Sequence, residues 1–464
     1  MGRGGGTGPG RGPGGEVAMD RVHVSPASVH DVLGRYILVD GLDIVLDMEK
    51  SHGPWIHDAR SGRDFIDFFS FFASLPVGLN HPKMRTQENI EALGRIALHK
   101  PTNSDVYTQV MAEYVETFGR VALPEPFKHL FFISGGGLAV ENALKAAFDW
   151  KARKNLARGA SADGLGVIHF KECFHGRTGY TLSLTDSPDK RKTMHFPKFP
   201  WPRINNPKIS FPLEGKNLAA VEQAEARALA EVGDVIGRTP HATAALIIEP
   251  IQAEGGDNHF RGEFLRELRR ICDEHEILFI LDEVQTGFGL TGKFWAFEHF
   301  GFTPDLAAFG KKSQVCGIMA TRRIDDVDNV FKVSSRLNST FGGNLVDMAR
   351  SRLQLEIIED EGLVRTAAVR GTYLLERLRT MQSNLGGIIE NARGRGLMCA
   401  FTLAEGVDRA EVLGRFSEAG IIILPCGVRT IRFRPTLDIP QDVLEDGMSR
   451  MEQVLKEMAA VRKV

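Results

Sequence analysis

The sequence predicts an α/β fold, with a large domain built on a mostly parallel sheet covered by helices on both faces and a smaller α+β domain. Short, continuous apolar segments alternate along the chain with stretches of helical composition, and each apolar segment ends in polar residues. Strands covered on both faces lose the alternation of apolar and polar residues, so such segments indicate a buried parallel sheet. The segments are 129–133, 167–170, 244–248, 277–281 and 306–309.

The composition is that of an ordinary globular protein. The chain has 464 residues, of which 43% are hydrophobic and 25% charged, and its net charge is −2. The length suggests two or more domains, and the near-neutral charge gives no indication of nucleic-acid binding. We expect the partners to be small metabolites and a second copy of the chain.

The cysteines and the apolar segments indicate the compartment. The five cysteines are odd in number, and no two of them have CxxC spacing. This pattern argues against a disulfide framework and against a zinc site, so we expect no metal. No apolar stretch reaches the length of a transmembrane helix, and the N-terminus lacks the apolar core of a signal peptide. We therefore expect a cytoplasmic protein that contacts no membrane.

The two ends of the chain differ from its middle. Residues 1–18 consist largely of Gly and Pro, which predicts a disordered tail because such a segment buries too little apolar surface to offset its ordering entropy. Residues 19–68 begin with a short helix and continue in strand-like segments. We assign them to the small domain together with 345–464, where helices and strands are mixed, and we assign 69–344 to the large domain.

A Gly-rich turn follows the first apolar segment. Ser134 and the glycines at 135–137 precede a helix rich in Ala, Leu, Glu and Lys. Amides exposed at a helix N-terminus suit a phosphate, although a tight turn without a ligand would have the same sequence. The turn does not match a dinucleotide fingerprint, because Val140 replaces the final small residue and no acidic residue ends the following strand.

Two candidate ligand-binding residues follow the segment 167–170. The Phe174 ring could stack on a planar cofactor or belong to the core. The Arg177 guanidinium is a fork-shaped donor that suits a carboxylate. In an open α/β sheet, ligands bind beyond the carboxyl ends of the strands, and both residues follow such an end.

Asp282 and Lys311 follow two further apolar segments that resemble strands. Asp282 directly follows 277–281, and Lys311 follows 306–309 after one glycine. Taken singly, Asp282 could cap a helix and Lys311 could be a solvated strand end. Together with the glycine turn, they match a carboxylate that keeps a pyridine nitrogen protonated and a lysine that forms an imine, the two groups that a pyridoxal phosphate enzyme needs. A P-loop at 310–313 is excluded because its upstream glycine is missing.

Residues 338–340 have the spacing of an N-glycosylation acceptor. A chain without a secretion signal offers no reason for glycosylation. The Thr340 hydroxyl stands beside Gly342 and Gly343, so we regard it as a candidate phosphate ligand.

From about residue 25 to its C-terminus, the chain resembles the class-III aminotransferases, which are pyridoxal-phosphate-dependent enzymes of fold type I. The resemblance rests on EPIQAEGGDNH, LDEVQTG, GKKSQVCG, RLNSTFGGN, GRGLMCAF and RFRPTL. It implies a seven-stranded sheet in the large domain, pyridoxal 5′-phosphate as the cofactor and a homodimer with shared active sites.

The resemblance also implies the roles of the residues at the cofactor. Lys311 would hold the cofactor as an imine and later move the proton, and it is preferred over Lys312 because it directly follows the small residue that ends the strand. Asp282 would pair with the pyridinium nitrogen and Gln285 with the phenolic oxygen. Val284 and Phe174 would lie on either side of the cofactor ring. Gly136 and Gly137, together with the neighbouring subunit's Thr340, would bind the phosphate.

The motifs differ in the amino donor that they favour. GKKSQVCG, NSTFGGN and RGLMCAF are most similar to members that transfer the terminal amine of L-lysine to 2-oxoglutarate by a ping-pong mechanism, giving L-glutamate and 2-aminoadipate 6-semialdehyde. EGGDNH, TGKFWAFEHFG and RFRPTL also resemble members that act on 4-aminobutyrate, so 4-aminobutyrate and ornithine stay as alternative donors. For substrate binding, the resemblance implies that Glu254 pairs with Arg432 and swings away for the dicarboxylate. Arg177 would bind the distal carboxylate, and Glu249 and Asn338 would line the pocket.

The glycine turn departs from the family pattern. Gly135-Gly136-Gly137-Leu138-Ala139 replaces Ser-Gly-Ala-Glu-Ala, so backbone amides would have to bind the phosphate without a serine hydroxyl. Two other kinds of function stay as alternatives: a dehydrogenase with a nucleotide at this turn, and a scaffold that has lost catalysis. The intact Asp282 and Lys311 count against the scaffold.

Overall fold

The computed structural model describes residues 22–385 and 387–462, and the predicted tail, 1–18, lies outside these ranges. The strands are β1 (Trp55–His57), β2 (Asp64–Asp67), β3 (Phe127–Ile133), β4 (Gly166–Phe170), β5 (Arg203–Ile204), β6 (Thr243–Ile248), β7 (Ile251–Gln252), β8 (Asn258–His259), β9 (Leu278–Asp282), β10 (Leu306–Phe309), β11 (Cys316–Thr321), β12 (Ile389–Arg395), β13 (Met398–Leu403), β14 (Ile421–Ile422), β15 (Leu424–Cys426) and β16 (Thr430–Arg432). The helices are α1 (Val29–Gly34), α2 (Ser70–Ala73), α3 (Gln87–Ala97), α4 (Gln109–Val121), α5 (Gly136–Ala157), α6 (Gly179–Leu184), α7 (Gly215–Arg238), α8 (Gly262–Glu274), α9 (Leu345–Asp360), α10 (Leu363–Asn384), α11 (Arg409–Glu418) and α12 (Gln441–Arg462).

The central sheet has seven strands in the order β3-β11-β10-β9-β6-β4-β5. The strands from β10 to β5 in this order are parallel neighbours, whereas β11 runs antiparallel to both β10 and β3. Each apolar segment singled out in the sequence coincides with one of these strands, except that Ile277 precedes the first residue of β9. The sheet confirms the predicted α/β class with a seven-stranded, mostly parallel sheet.

Alternate residues of the central strands belong to two separate apolar clusters. On β6, Leu246 and Ile248 belong to the larger cluster, and Ala245 and Ile247 belong to a smaller one that includes residues of α5. All four side chains are fully buried. Because successive side chains of a strand point to opposite faces, the sheet is covered on both sides, which explains why its strands are apolar throughout.

The N-terminal strands pair with the C-terminal part of the chain. β1 and β2 form an antiparallel hairpin, and β14 pairs with β2 in parallel. β12, β13, β16 and β15 form a separate antiparallel sheet. The domain limits 1–18, 19–68, 69–344 and 345–464 stay predictions.

α2 is a left-handed turn that lies between β2 and α3. Its residues have positive φ angles, from 37° to 66°, and such angles cost free energy for residues other than glycine. Asp67 Oδ1 accepts hydrogen bonds from the amides of Phe69 and Ser70, and Ser70 Oγ donates to the carbonyl oxygen of Arg434. These contacts hold the turn and so fix the Leu75 carbonyl that follows it.

Within the described residues, no helix is long and apolar enough to cross a membrane. Nor do these residues contain a group of three or more His, Cys, Asp or Glu side chains arranged to hold a metal ion. The five cysteines are free thiols.

Candidate active site

A cavity of about 280 Å³ lies at the carboxyl ends of β3, β4, β6, β9 and β10. Most of the candidate residues from the sequence meet there, because parallel strands bring their carboxyl ends to the same edge of the sheet. The lining residues are Gly136, Gly137, Phe174, His175, Gly176, Glu249, Glu254, Asp282, Val284, Gln285, Lys311 and Cys316.

Asp282 is buried and hydrogen-bonded to a histidine. Its Oδ2 lies 2.8 Å from His175 Nδ1, and its Oδ1 accepts a hydrogen bond from the Val284 amide at 3.1 Å. Burial disfavours a charged imidazole, but the Cys173 sulfur and the Asp282 carboxylate outweigh burial and raise the pKa of His175 well above its ordinary value. The Asp282 carboxylate and the His175 imidazolium therefore form a buried ion pair at the end of β9.

Lys311 and Lys312 point to different surroundings. Lys311 lines the cavity, and burial together with the nearby Arg432 lowers the pKa of its amine to about 8. Lys312 is fully buried, and its Nζ donates to the Leu75 carbonyl oxygen at 2.7 Å. Lys311 is thus the lysine whose amine faces the cavity beside Asp282, as expected from its position after β10.

The glycine turn packs directly against the segment that follows β9. A Cβ at Gly136 would lie 2.9 Å from Val284 Cγ1, and a Cβ at Gly176 would lie 2.8 Å from the Gly137 Cα. Gly135 has a φ of 118°, which favours glycine. Side chains at these positions would close the space in front of the first turn of α5.

Gln285 is held by two arginines. Its Oε1 accepts hydrogen bonds from Arg434 Nε at 2.8 Å and from Arg432 at 3.3 Å. Arg434 is fully buried and forms an ion pair with Asp257, with distances of 2.5 and 2.9 Å. Because the oxygen of the Gln285 amide is occupied, its NH₂ group is the part that can donate into the cavity.

Glu249 is bound to backbone amides at the cavity wall. Its two carboxylate oxygens accept hydrogen bonds from the amides of Phe174 at 2.8 Å and Ala253 at 3.0 Å. Burial raises the pKa of Glu249 to about 7, against the opposing effect of the His175 charge. Glu249 therefore fixes the loops that follow β4 and β7 in addition to lining the cavity.

Glu254 lines the cavity but is not hydrogen-bonded to Arg432. Its Oε1 accepts from Lys192 Nζ at 2.5 Å and from Ser187 Oγ at 3.0 Å. Arg432 is buried, and burial lowers its pKa. The structure therefore holds Glu254 in contact with a different cation from the one that the sequence suggested.

Three predicted site residues lie on the surface. The side chains of Arg177, Asn338 and Thr340 are exposed and do not line the cavity. No hydrogen bond or ion pair links the Arg177 side chain to any described residue, and Asn338 Oδ1 accepts only from the neighbouring Ser339 amide. The roles predicted for these residues require a neighbouring subunit or a change of conformation.

The sequence interpretation missed His175, Lys192 and Arg434 as site residues. His175 is the neighbour of Phe174 in the segment that follows β4. Its position after a strand end could have identified it as a site residue. Arg434 lies two residues after Arg432, on the same side of an extended chain. Lys192 carries no signal in the sequence, because its contact with Glu254 depends on how two loops meet.

The fold and the cavity define an α/β enzyme in which a lysine amine and a buried carboxylate face one ligand site. The family model for class-III aminotransferases matches residues 36–455. The L-lysine-epsilon aminotransferase of Mycobacterium bovis is 49% identical over 442 residues, which cover 95% of this chain and 98% of that protein. This chain belongs to the class-III aminotransferase family.

Two further relatives extend the similarity to the three-dimensional structure. The L-lysine-epsilon aminotransferase of Amycolatopsis lactamdurans is 46% identical over 442 residues, 94% of this chain and 98% of that protein. The lysine aminotransferase of Mycobacterium tuberculosis has a TM-score of 0.91 at 48% identity, covering 94% of this chain and 100% of that chain. The similarity therefore includes both the central sheet and the C-terminal part.

Class-III aminotransferases use pyridoxal 5′-phosphate, and the cavity fits this group. It combines a lysine of lowered pKa with a buried carboxylate, and the missing Cβ atoms at the glycine turn leave room for a phosphate at the start of α5. The residues of the cavity that would hold the cofactor are Gly136, Gly137, Phe174, Asp282, Val284, Gln285 and Lys311.

Proposed function

We propose that this enzyme transfers the ε-amino group of L-lysine to 2-oxoglutarate, giving L-glutamate and 2-aminoadipate 6-semialdehyde. The two substrates use one site in turn, as in a ping-pong mechanism. The observation that carries the proposal is the cavity that both Lys311 and Asp282 line, in a chain that aligns over nearly its full length with L-lysine-epsilon aminotransferases.

Lys311 and Asp282 have the properties that the reaction needs. When bound, pyridoxal 5′-phosphate supplies an electron sink for negative charge on the substrate carbon beside the amine. Burial lowers the pKa of Lys311 to about 8, so a larger fraction of its amine is neutral near pH 7 than for an ordinary lysine, and this neutral form can act as a nucleophile and move protons at that carbon. The Asp282 carboxylate, bonded to His175, favours a protonated nitrogen opposite it.

Charge determines how the substrates are bound. Lysine brings one carboxylate to the site, at the end far from its reacting amine, whereas 2-oxoglutarate also brings a carboxylate next to the reacting carbon. Arg432 would bind this second carboxylate, and Glu254 would pair with Arg432 while lysine is bound. Arg177 would bind the distal carboxylate of either substrate, with Glu249 and Asn338 beside the pocket.

We propose that the active enzyme is a homodimer with shared sites. Two stretches of the single chain expose large apolar side chains: Tyr36 and Leu38 are 88% and 81% exposed, and Leu98 and Tyr107 are 75% and 80% exposed. Apolar surface of this kind favours burial against a second copy. Assembly would also give a role to the exposed Thr340, as a ligand of the neighbouring subunit's cofactor phosphate.

We assign the enzyme to the cytoplasm. Its five cysteines are free thiols, which persist in a reducing compartment. Cell fractionation with a tagged chain tests this assignment, and recovery of the enzyme in a membrane or extracellular fraction would contradict it.

The experiment that tests the donor is a direct comparison. The purified enzyme, loaded with pyridoxal 5′-phosphate, is mixed with 2-oxoglutarate and with lysine, ornithine or 4-aminobutyrate in separate reactions, and the glutamate formed is measured. We expect lysine to give the highest kcat/KM. A higher value for ornithine or 4-aminobutyrate would replace lysine as the donor while leaving the aminotransferase assignment intact.

A further inference from the structure

The Glu254 carboxylate is bound at one oxygen only. Oε1 accepts hydrogen bonds from Lys192 Nζ at 2.5 Å and from Ser187 Oγ at 3.0 Å, whereas Oε2 is buried without a hydrogen-bond partner among the described residues. A buried carboxylate oxygen without a partner costs free energy. One oxygen is therefore available for a second partner.

Arg432 is the complementary group with an incomplete set of partners. It is 4% exposed, and its Nε has no hydrogen-bond partner among the described residues. In the part of the chain that the structure describes, the one side-chain hydrogen bond of its guanidinium is the 3.3 Å bond to Gln285. The Glu254 charge is close enough to oppose the lowering of the pKa of Arg432. Glu254 thus lies between two cations and is bonded to one of them.

The loop that carries Lys192 is built to hold this contact. Ser187 is fully buried, and its Oγ also accepts from the Asp189 amide at 3.2 Å. Asp189 in turn caps the short helical turn 190–192 by accepting from the Arg191 amide. The Lys192 ammonium lies 6.0 Å from the centre of the Phe174 ring. The backbone of the turn that carries Lys192 is therefore held near the cavity by hydrogen bonds that do not involve Glu254.

We propose that Lys192, with Ser187, is a positioning residue that competes with Arg432 for the Glu254 carboxylate and thereby determines how well the site binds dicarboxylates. While Glu254 is held by Lys192, the guanidinium of Arg432 is open to a substrate carboxylate. When Glu254 leaves Lys192 and pairs with Arg432, the site instead suits a substrate with an aliphatic chain at that position. The inference rests on the proposed role of Arg432 as the group that binds the second carboxylate of the keto-acid substrate.

A second cation has a clear physical purpose. An unpaired carboxylate in a partly buried site costs free energy. A glutamate that moves away from Arg432 therefore needs another positively charged partner. Lys192 supplies it and keeps the free-energy difference between the two positions small. A small difference allows the substrates themselves to select the position, because a ligand shifts such an equilibrium by its differential affinity for the two states.

Lys192→Met tests the inference in the enzyme loaded with pyridoxal 5′-phosphate. The probe is glutarate, a dicarboxylate without a keto group, and its Kd is measured by calorimetry. Without Lys192, Glu254 moves to Arg432, so we expect glutarate to bind about fivefold more weakly and the keto-acid substrate to show a KM that is higher by the same factor. The KM of lysine should not rise, and Lys192→Arg should restore the affinity for glutarate.

Two controls separate this effect from general damage to the loop. Lys190→Met removes a lysine of the same helical turn, one that pairs with Asp186 at 2.9 Å and does not contact Glu254, and it should leave the Kd of glutarate unchanged. In a Glu254→Ala background, Lys192→Met should have no further effect, because the competition no longer exists.

Three results would overturn the inference. The first is an unchanged Kd of glutarate in Lys192→Met, and the second is a Kd of glutarate that rises equally in Lys190→Met. The third is an equal loss of glutarate affinity when Lys192→Met is made in the Glu254→Ala background, which would mean that Lys192 binds the dicarboxylate itself. Failure of the proposed function looks different. If Arg432→Met leaves glutarate binding intact, the assigned carboxylate site is wrong, and if lysine gives no glutamate, the assigned donor is wrong.

Discussion

The two ends of the active-site cavity are built in different ways. At the cofactor end, formed by Gly136, His175, Asp282 and Lys311, each residue lies at or just beyond the carboxyl end of a strand or at the start of α5. Asp282 is fixed by hydrogen bonds, and Gly136 is fixed by close packing. Because the sheet is rigid, this end is already in place in the single chain.

The proposed substrate end, assigned to Arg177, Glu254, Asn338 and Arg432, lacks this order, and of these four residues only Glu254 lines the cavity. Arg177 and Asn338 are exposed, Glu254 lies on the loop between β7 and β8, and Arg432 is buried with an Nε that has no partner among the described residues. In the proposed function, this end would depend on loops, on the charge of the substrate and on a second subunit. We infer from this difference that residues at the strand ends determine the reaction type, whereas residues on loops would determine the choice of substrate.

The strongest test of the cofactor end is Lys311→Ala. We expect transamination to fall by more than about 10³-fold, because the amine that binds the cofactor and moves the proton is removed. The variant should remain folded and keep the oligomeric state of the parent in size-exclusion chromatography. Turnover close to that of the parent would assign the imine to Lys312, although the Lys312 amine is bonded to the Leu75 carbonyl oxygen.

Asp282→Asn keeps the size of the side chain and removes its charge. A neutral partner no longer favours a protonated ring nitrogen, so we expect kcat to fall by about 10²-fold or more. The measurement is kcat for each half-reaction by rapid mixing with one substrate at a time. Both halves should be slowed alike, since the cofactor end serves both, and near-normal rates in either half would remove the proposed role of Asp282.

His175→Phe tests whether the cofactor end depends on the histidine that the sequence interpretation missed. Loss of its 2.8 Å contact with Asp282 should lower kcat about tenfold, the equivalent of one charge-assisted hydrogen bond. His169→Phe is the matched control, because His169 is buried on the strand before the same loop and its ring nitrogens are hydrogen-bonded to Val167 and Arg203 rather than to Asp282. An equal loss of rate in both variants would reduce His175 to a packing role.

The same histidine gives a pH dependence of stability. The pKa of His175 is raised in the folded protein, so its pairing with Asp282 stabilises the fold fully below the ordinary histidine pKa of about 6.5. That contribution is lost as the pH rises through the raised value. We expect the difference in Tm between the parent and His175→Phe to be largest at mildly acidic pH and to shrink as the pH increases. A difference that grows with pH would contradict this assignment.

The difference between strand ends and loops explains which site residues the sequence could predict. Gly136, Asp282 and Lys311 could be placed because a continuous apolar segment marks a buried strand, and the residue after such a segment must lie at the ligand edge of a parallel sheet. The number of strands followed from the family resemblance. The placement of these residues depends on periodicity and on local composition, which a single sequence contains.

Contacts between loops could not be predicted in this way. Glu254 was expected to pair with Arg432, but in the structure it is bonded to Lys192, which lies far away in the sequence. Loop conformations are determined by tertiary packing and carry no periodic signal. The hydrogen bonds of Gln285 to Arg432 and Arg434 were missed for the same reason, since alternation in a strand shows which residues share a face but not what they bind.

Glu254→Ala should lower the reaction rate less than the other substitutions do, and its effect should be confined mainly to one half-reaction. Without its carboxylate, Arg432 stays unpaired beside the aliphatic chain of lysine, so the lysine half-reaction should lose about fivefold more in kcat/KM than the 2-oxoglutarate half-reaction. Asp282→Asn, which slows both halves alike, is the reference for this comparison. Equal losses in the two halves after Glu254→Ala would show that Glu254 does not distinguish the substrates, and the substrate end would then have to select lysine through Arg177 and Asn338.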